Sequence, residues 1–356
     1  MSKKRVAVAM SGGIDSSVAA ALLKHKGYEV IGLTMRFKLA QTNKYKTSSY
    51  NDSSVEDARI VAKSLGIKHY ILNIQRHLND YVIKDFCSQY SLGRTPNPCI
   101  ICNQYIKFGK LLEEAFALGA KFLATGHYVR VNKLNGQLFI FKGKDAKKDQ
   151  SYFLYRLTQR QLKHVLFPLG SYRKDEVIRL ARSFSLPLSS KPESQEVCFL
   201  AQDNYREFLK RRLGSKMVSG KVLDRKGNVV GAHKGIAFYT IGQREGLGIA
   251  LGYPAYIIKI NHKNHTIIIG KKEDAFSKEF MLKSPYLVNK AFKNKVVLKV
   301  KIRYNHKESK AVLTPVGNKI RVNFKKPQFA ITPGQSAVFY DGDKVVGGGV
   351  IDKVLS

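Results

Sequence analysis

The sequence predicts an α/β N-terminal half with a doubly wound parallel sheet, followed by two small all-β domains. Apolar runs typical of buried strands alternate with helical patterns up to about residue 205. Short strands joined by turn signals follow, and a glycine-rich loop connects the first strand to the first helix. Alternating strands and helices favour a parallel sheet with helices on both faces, whereas many short strands favour β domains.

The first element is the stretch "VAVAMSGGIDSSVAAALLKHKG", which predicts a strand, a tight loop and a helix. Residues 6–10 are apolar, as in a buried strand, and apolar residues recur at helical spacing from Ser16 until Gly27 ends the pattern. A loop in this setting directs free backbone N–H groups and a helix N-terminus to one place. That place suits an anion.

The loop sequence S-G-G-x-D-S-S excludes two common phosphate-binding patterns. No lysine lies between Ser11 and Ser17, so the loop is not a Walker A loop. Gly12 and Gly13 are adjacent and no third glycine opens the helix, so the dinucleotide-binding pattern is also absent. The loop resembles the pyrophosphate loop (PP-loop) of N-type ATP pyrophosphatases, which cleave ATP between the α and β phosphates and adenylate a substrate oxygen.

The later elements continue the alternation. Strands are predicted at "EVIGLTMRF", "KHYILNI" and "KFLATGHYVRV", and helices at "SVEDARIVAKSLG", "HLNDYVIKDFCSQYSLG" and "IKFGKLLEEAFALG". The polar stretch between Phe37 and Ser54 is predicted to be a mobile insertion. After residue 205, segments such as "GKVLDRKGNVVG", "GIAFYTIGQ" and "KVVLKVKIRY" predict short strands. We therefore expect domains at residues 1–205, 206–275 and 276–356.

The charge balance is strongly basic, with 62 Lys+Arg against 26 Asp+Glu and a net charge of +36. Such an excess favours a polyanionic partner, although lysine-rich coding bias also explains part of it. Charge alone does not separate RNA from DNA or from an anionic membrane. No apolar run reaches membrane-spanning length and the first residues lack the pattern of a signal peptide, so we expect a cytoplasmic protein without membrane contact.

The four cysteines are Cys87, Cys99, Cys102 and Cys198. Such sparse usage in a cytoplasmic protein argues against structural disulfides and leaves redox, nucleophilic and metal-binding roles open. Cys99 and Cys102 form a C-x-x-C at the predicted entry to a helix, where a helix N-terminus lowers the pKa of a thiol. A four-cysteine zinc site needs a second such pair, which the sequence lacks. We interpret Cys87 as a packing residue.

The chain resembles the bacterial tRNA-specific 2-thiouridylases over nearly its whole length. The resemblance is carried by "MSGGIDSSVAA", "GRTPNPC", "CNQYIKF", "ATGHYVR", "KDQSYFLYRL", "FPLG", "TIGQREGLGI" and "TPGQSAVFYDGDKVVGGGVI". That family adds sulfur at C2 of the wobble uridine of certain tRNAs. The resemblance implies a PP-loop ATP pyrophosphatase domain, a small central β domain and a C-terminal β-barrel. It also implies ATP with Mg²⁺, a tRNA substrate and a protein that donates persulfide sulfur.

The same resemblance implies roles for the cysteines. In the family, ATP adenylates the uracil C2 oxygen, and sulfur then displaces AMP. Cys198 matches the cysteine that carries the persulfide, and Cys102 matches the nucleophile that completes release and leaves a Cys102–Cys198 disulfide. A cytosolic disulfide of this kind is transient and catalytic.

Cys99 departs from the family pattern, because many members have aspartate at this position. Two roles stay open. Cys99 lines the base pocket, which puts the acid/base role of the aspartate in doubt, or Cys99, Cys102 and Cys198 hold an iron–sulfur cluster through three thiolates, as in some related RNA thiolases. We favour the persulfide route.

Further candidate residues follow from the resemblance, position by position. The residues that match ATP contacts are Ala9, Met10, Ser11, Gly12, Gly13, Ile14, Asp15, Ser16, Met35 and Gly126. The residues that match contacts with tRNA, the first three of them with the target base, are Asn97, Pro98, Cys99, His127, Lys148, Asp149, Gln150, Arg303, Tyr304 and Gln335. Polar groups and shape hold a flipped base, whereas lysine and arginine hold phosphates.

Two other functions remain open from the residues alone. One is an adenylating ATP pyrophosphatase that acts on a small molecule, which needs neither paired cysteines nor basic β domains. The other is an RNA-binding protein without activity, against which the intact Ser11-Gly12-Gly13 and Asp15 argue.

Overall fold

The computed structural model describes residues 3–38, 51–187, 197–200, 204–249, 251–288, 292 and 294–355. The chain divides into two compact units. The first unit comprises Met1–Val82, Cys99–Asp203 and Asp343–Val345, and the second comprises Ile83–Pro98, Asn204–Gly342 and Val346–Ser356. The predicted fold class is confirmed, because a parallel sheet with helices is followed by all-β regions that end in a closed six-stranded barrel.

The helices and strands of the described residues are numbered in chain order. The α-helices are α1 (Ile14–His25), α2 (Asp52–Ser64), α3 (Gln75–His77), α4 (Lys84–Ser91), α5 (Pro98–Ile101), α6 (Leu111–Ala117), α7 (Gln159–Leu162), α8 (Lys174–Ser183) and α9 (Tyr205–Leu213). Two π-helical segments are π1 (Leu78–Ile83) and π2 (Cys102–Lys110). The strands are β1 (Arg5–Ala9), β2 (Glu29–Arg36), β3 (Lys68–Asn73), β4 (Phe122–Ala124), β5 (Val129–Leu134), β6 (Gln137–Lys142), β7 (Val165–Leu166), β8 (Gly220–Leu223), β9 (Val229–His233), β10 (Tyr256–Asn261), β11 (Thr266–Gly270), β12 (Phe276–Leu287), β13 (Val296–Lys301), β14 (Ser309–Val316), β15 (Lys319–Phe329), β16 (Ser336–Asp341) and β17 (Lys344–Val354).

The first unit is built on a parallel sheet with the strand order β3-β2-β1-β4-β7. From β1 the chain adds β2 and β3 on one side and later β4 and β7 on the other, so the order reverses between β1 and β4. Ligands of open α/β sheets bind beyond the carboxyl ends of the strands at such a reversal. The loops after β1 and β4 are therefore the expected place for a ligand.

Helix α1 packs on this sheet through small and aliphatic side chains. Val18, Ala19 and Ala20 are fully buried, and they share one apolar core with Val8 of β1 and Val177 of α8. Small side chains let the helix approach the sheet closely, which fixes the N-terminus of α1 beyond the end of β1. None of the helices in the described ranges is long and apolar enough to cross a membrane.

Three expectations about elements need correction. The helix that was expected within "IKFGKLLEEAFALG" begins earlier, at Pro98, because proline is well suited to a first helical position. The stretch "KFLATGHYVRV" forms two strands, β4 and β5, because residues 125–128 turn out of the parallel sheet. The expected strand in "GIAFYTIGQ" is a short 3₁₀ turn at Ile236–Phe238. Most of the predicted polar insertion lies outside the described residues.

The second unit contains a four-stranded sheet and the barrel. The sheet has the order β10-β11-β8-β9, and the barrel has the order β12-β15-β14-β13-β16-β17, closed by pairing of β12 with β17. Phe280, Leu313 and Phe339 lie in the barrel core without exposure to solvent. Closure removes the unpaired strand edges that an open sheet would present.

The segment of residues 94–96 is held within the second unit by the turn before β16 and by β17. The Gln335 side chain donates to the carbonyls of Thr95 (2.9 Å) and Pro96 (3.2 Å), and Thr95 N donates to the Pro333 carbonyl (2.9 Å). Gly334 has φ +95°, and a Cβ atom there would lie 2.8 Å from Thr95 N. This close approach requires glycine at position 334.

We expect Gly334→Ala to destabilise the second unit more than Gly342→Ala. Gly342 also has a positive φ, +59°, but nothing lies within 4 Å of its would-be Cβ atom. Both changes incur the left-handed strain of about 1–2 kcal/mol, and Gly334→Ala adds a steric penalty of about 1–3 kcal/mol. Thermal unfolding and hydrogen exchange of the Thr95 amide measure the difference. Equal effects of the two changes would show that the close approach at Thr95 carries no strain.

Candidate active site

The loop after β1 closes on itself through Ser16. The Ser16 hydroxyl donates to the Gly13 carbonyl (3.0 Å) and accepts from the Ser11 backbone N–H (3.1 Å), and the Ser11 hydroxyl lies 3.3 Å away. Gly13 occupies the N-cap of α1 and has no side chain that could cap the helix. The free N–H groups of the first turn are therefore available to an anion, as the sequence predicted.

Two glycines allow other segments to pack closely on the loop after β1: Gly12 lies against α2, and Gly126 brings in the turn after β4. Gly12 has φ +77°, and a Cβ atom there would lie 2.6 Å from the Ser54 carbonyl oxygen. A Cβ atom on Gly126, in the turn after β4, would lie 2.8 Å from the Asp15 carbonyl carbon and 2.9 Å from Ser16 N. The backbone of Gly126 thus packs directly on the phosphate loop. This contact accounts in physical terms for the glycine that the resemblance singled out.

The remaining predicted ATP residues lie at the same edge of the sheet. Ala9 ends β1, and Met10 is buried with its N–H bonded to the Leu33 carbonyl (2.8 Å). Met35 lies near the end of β2, the strand beside β1, and its carbonyl accepts from the Asn51 side chain (2.9 Å). The structure therefore brings all ten residues to the carboxyl ends of β1, β2 and β4. Their contact with ATP stays a prediction.

Asp15, in the first turn of α1, has two partners that the sequence did not indicate. The Tyr128 hydroxyl donates to Asp15 Oδ1 (2.7 Å), and the Lys174 ammonium donates to the same oxygen (2.8 Å). Lys174 is the first residue of α8 and follows Asp15 by 159 positions. No local pattern links two residues so far apart.

The three cysteines of interest lie in the first unit. Cys99 belongs to the short helix α5, Cys102 begins π2, and Cys198 lies in a turn. Cys99 and Cys198 are exposed to solvent and Cys102 is half-buried, and all are free thiols. Thiolates at Cys102 and Cys99 raise the pKa of Cys198, so the three side chains are near neighbours. The structure therefore brings close to one another the three cysteines that the sequence indicated.

The protein that surrounds these thiols controls their ionisation. Burial raises the pKa of Cys102 to about 11 and that of Cys198 to about 12, and it also raises the pKa of Cys99. The expectation that a helix N-terminus lowers these pKa values is therefore wrong, because desolvation is the larger effect. The Lys107 ammonium opposes burial at all three thiols.

The π2 segment is fixed by side chains from outside the helix. The Gln161 side chain donates to the Phe108 carbonyl (2.7 Å), Asn103 donates to the Phe153 carbonyl (3.2 Å), and Arg156 donates to the Gln104 side chain (3.1 Å). π-Helical turns are frequent at functional sites because they re-aim side chains. Here the segment carries Cys102 and Lys107 together.

The candidate tRNA residues of the first unit have mostly internal partners. His127 is buried between Phe108 and Phe167, and burial lowers its pKa well below the ordinary value, so the imidazole is neutral. Asp149 is buried and accepts from Gly143 N (3.1 Å) and from the Ser151 hydroxyl (2.9 Å).

The remaining tRNA candidates of this unit lie beside Asp149. The Gln150 side chain accepts from Tyr128 N (3.0 Å), and Lys148 is half-buried. These contacts shape the turn that carries Lys148, Asp149 and Gln150. The contact of these residues with tRNA stays a prediction.

The candidate tRNA residues of the second unit lie at the barrel and at the segment of residues 94–98. The Arg303 side chain donates to the carbonyls of Phe329 (2.6 Å) and Ala330 (2.9 Å), and Tyr304 lies under the Lys301 ammonium (5.3 Å). Gln335 binds the backbone of residues 95 and 96, as described above. Asn97 is half-buried and Pro98 is buried.

The fold and the phosphate loop define a nucleotide-binding α/β protein with appended β domains, and family models match all three parts. They are described as a tRNA methyl transferase HUP domain (residues 4–202), a tRNA methyl transferase PRC-barrel domain (206–271) and an aminomethyltransferase beta-barrel domain (277–351). The chain belongs to the tRNA-specific 2-thiouridylase family, which confirms the predicted resemblance.

The curated relatives match the chain from end to end. It is 48% identical to tRNA-specific 2-thiouridylase MnmA 1 of Caldanaerobacter subterraneus subsp. tengcongensis, over 98% of each chain. It is 47% identical to tRNA-specific 2-thiouridylase MnmA of Halothermothrix orenii, also over 98% of each. With tRNA-specific 2-thiouridylase MnmA 1 of Clostridium botulinum the identity is 45% over 100% of each chain.

We expect alkylation of Cys102 to be slow at neutral pH and to accelerate up to about pH 11. Burial raises the pKa of Cys102 from 9.0 to about 11, so the reactive thiolate fraction grows about tenfold per pH unit below that pH. Iodoacetamide labelling at a series of pH values, with each cysteine followed by peptide mass analysis, measures the profile. The urea-unfolded protein is the control, and its labelling rate should level off near pH 9. A folded-state plateau near neutral pH would mean that Lys107 and the helix outweigh burial.

Proposed function

We propose that this chain catalyses ATP-dependent 2-thiolation of the wobble uridine of tRNA. One observation carries the proposal: a single unit holds an anion-binding loop and three neighbouring thiols, the two parts that adenylation and sulfur transfer need. Identity of 45–48% with relatives named tRNA-specific 2-thiouridylase supports it. Methyl transfer, which two of the family-model descriptions mention, requires neither a pyrophosphate loop nor paired cysteines.

The proposed reaction has two displacement steps at uridine. The uracil C2 oxygen attacks the α phosphorus of ATP, and pyrophosphate departs with the electrons of the broken P–O bond. The terminal sulfur of a Cys198 persulfide then attacks C2, and AMP leaves with the C2 oxygen. Attack of the Cys102 thiolate on Cys198 Sγ releases 2-thiouridine and forms the Cys102–Cys198 disulfide. A thiol reductant then restores both cysteines, and a persulfide donor protein reloads Cys198.

The residues at the loop fit a Mg²⁺ ion that arrives with the nucleotide. Mg²⁺ is usually held by one or two carboxylates together with phosphates, and Asp15 supplies a carboxylate. Across the described ranges, no group of three His, Cys, Asp or Glu side chains could hold a metal ion by itself. Bound Mg²⁺ would neutralise phosphate charge.

The proposed reaction uses the cysteines by the persulfide route, in which Cys198 carries sulfur and Cys102 attacks Cys198 Sγ. Cys99, Cys102 and Cys198 all lie within the described ranges, where no group of three side chains could hold a single metal ion. No step of the proposed reaction passes through iron, and the persulfide route is the one we propose.

We also propose the three-domain division at residues 1–205, 206–275 and 276–356. The limits of the family-model matches, 4–202, 206–271 and 277–351, support it. The net charge of +36 suits a tRNA partner, since lysine and arginine contacts to phosphates release counterions. A tRNA substrate also supports a cytoplasmic location.

We expect Cys102→Ser and Cys198→Ser each to abolish formation of 2-thiouridine. A serine hydroxyl neither carries a persulfide nor attacks a disulfide sulfur. Nucleoside mass analysis of tRNA incubated with the protein, ATP and a persulfide donor measures the product. Cys87→Ser is the matched control and should retain activity, because Cys87 lies in α4 of the second unit.

Two results would contradict the proposed function. One is the absence of 2-thiouridine from the unaltered protein with every sulfur source tested. The other is full formation of 2-thiouridine by both serine variants, because the proposed sulfur transfer needs both thiols. Exchange of labelled pyrophosphate into ATP tests the remaining alternative. An adenylating enzyme catalyses this exchange, whereas a protein that only binds RNA does not.

We expect Cys99→Asp to retain most of the thiolation activity in air. This change restores the residue that many relatives carry and leaves Cys102 and Cys198 in place. A cluster held by three thiolates would instead lose a soft ligand, and the iron content of anaerobically reconstituted protein would fall. Iron-dependent activity of the unaltered protein, combined with an inactive Cys99→Asp variant, would overturn the persulfide route.

A further inference from the structure

Thr95 is an anchored residue of the second unit, because its N–H, its carbonyl and its hydroxyl all have partners there. The N–H donates to the Pro333 carbonyl (2.9 Å), and the carbonyl accepts from the Gln335 side chain (2.9 Å). The hydroxyl lies 3.0 Å from the Thr240 hydroxyl. With these groups in use, the position of Thr95 is set by the protein that surrounds it.

The residues just before and just after this anchor are held too. The Arg94 guanidinium donates to the Ile351 carbonyl (2.9 Å) and lies 3.5 Å from Asp352 Oδ1. The Arg94 and Asp352 side chains are only 17% and 21% exposed, so water screens their attraction poorly. The Pro96 carbonyl accepts from the Gln335 side chain (3.2 Å).

Gln335 is itself fixed by the barrel. Its backbone N–H donates to the Thr332 carbonyl (3.2 Å), and its carbonyl accepts from the Ile351 N–H (2.8 Å). The Ile351 carbonyl accepts from the Gly334 N–H (2.9 Å) as well as from Arg94. One backbone atom of β17 therefore joins Arg94 to the turn that carries Gln335.

Asn97, the next residue of the segment, differs from those before it. Its side chain is half-buried and has no hydrogen-bond partner among the residues that the structure describes. A carboxamide offers an acceptor oxygen beside a donor N–H. This pair matches the N3–H and the C4 oxygen of uracil and leaves the C2 oxygen free to react. An unpartnered carboxamide thus follows three residues that are held in place.

We propose that Arg94 and Gln335 are positioning residues that fix Asn97 for recognition of the target uracil. Gln335, which the family resemblance assigns to contact with tRNA, acts in this proposal through residues 95–97. The proposal rests on the proposed function in that a tRNA uridine is the target. A recognition group that is held in advance loses less conformational freedom on binding, which increases affinity.

Two other roles of Gln335 predict different results. A direct contact with the tRNA backbone contributes equally whether or not the target base is present. A purely structural role lowers the stability of the barrel and weakens all RNA alike. Positioning of Asn97 affects only RNA that carries the target base. The roles therefore differ in the ratio of the affinities for RNA with and without that base.

The test is titration of the full chain with two anticodon stem-loop RNAs, one with uridine and one with an abasic residue at the wobble position. Gln335→Glu replaces the N–H donors by a carboxylate oxygen, which the carbonyls of Thr95 and Pro96 repel. We expect it to weaken the uridine RNA roughly tenfold, about the value of one hydrogen bond, and to leave the abasic RNA within about twofold. Gln328→Glu is the matched control for the added charge. Gln328 donates to the Lys326 carbonyl (2.7 Å) in the same barrel, and this change should leave the ratio unaltered.

A second variant tests the other positioning residue. Arg94→Met should weaken the uridine RNA more than the abasic RNA, as Gln335→Glu does, because it releases the start of the same segment. Arg321→Met is its matched control. Arg321 donates to Glu279 Oε2 (2.9 Å) on the barrel, so its loss removes the same charge without releasing the segment and should leave the ratio unaltered.

A double variant shows whether Gln335 acts through Asn97. Adding Gln335→Glu to Asn97→Ala should weaken the uridine RNA no further, because no carboxamide is left to position. Additive loss, or equal weakening of both RNAs by Gln335→Glu, would overturn the proposal. These titrations involve neither ATP nor sulfur. Failure of thiolation with a Gln335-dependent ratio therefore contradicts the proposed function alone, and thiolation with an unchanged ratio contradicts the role of Gln335 alone.

Discussion

The contact between Gly126 and the backbone of Asp15 and Ser16 is the constraint on which the rest of the candidate site depends. It joins the loops after β1 and β4 at the place where the strand order reverses. Because Gly126 has no Cβ atom, the turn of residues 125–128 can lie directly against the start of α1. This in turn brings the Tyr128 hydroxyl to Asp15. A larger residue at position 126 would separate the two loops and move the Tyr128 hydroxyl away from Asp15.

The sequence was sufficient for the parts of the site that are local. The loop after β1 is a run of consecutive residues, and its strand, glycines and helix each leave a pattern that can be read without a structure. Two small β domains were likewise indicated by repeated short strands, whereas the barrel was implied by the family resemblance. The cysteines were found because a C-x-x-C stands out in a chain with few cysteines.

Other parts of the site depend on tertiary structure and leave no local pattern. Lys174 reaches Asp15 only because α8 packs beside α1. The two residues are 159 positions apart, so no local sequence pattern connects them. The thiol pKa values were predicted in the wrong direction for a similar reason. A helix N-terminus is visible in the sequence, whereas the burial that raises the pKa of Cys99 and Cys102 depends on how the chain folds around them.

The direction of these pKa shifts bears on how a sulfur carrier at Cys198 would behave. A resting thiol with a pKa near 11 or 12 stays protonated at neutral pH, and oxidants react with thiolates rather than thiols. A persulfide is a stronger acid than its parent thiol, so a loaded Cys198 ionises more readily than an empty one in the same surroundings. Lys107, which favours the anion at all three thiols, acts in the same direction. Burial would thus keep the resting thiols protonated, whereas Lys107 would favour the anion of a loaded Cys198 and of Cys102 when it attacks.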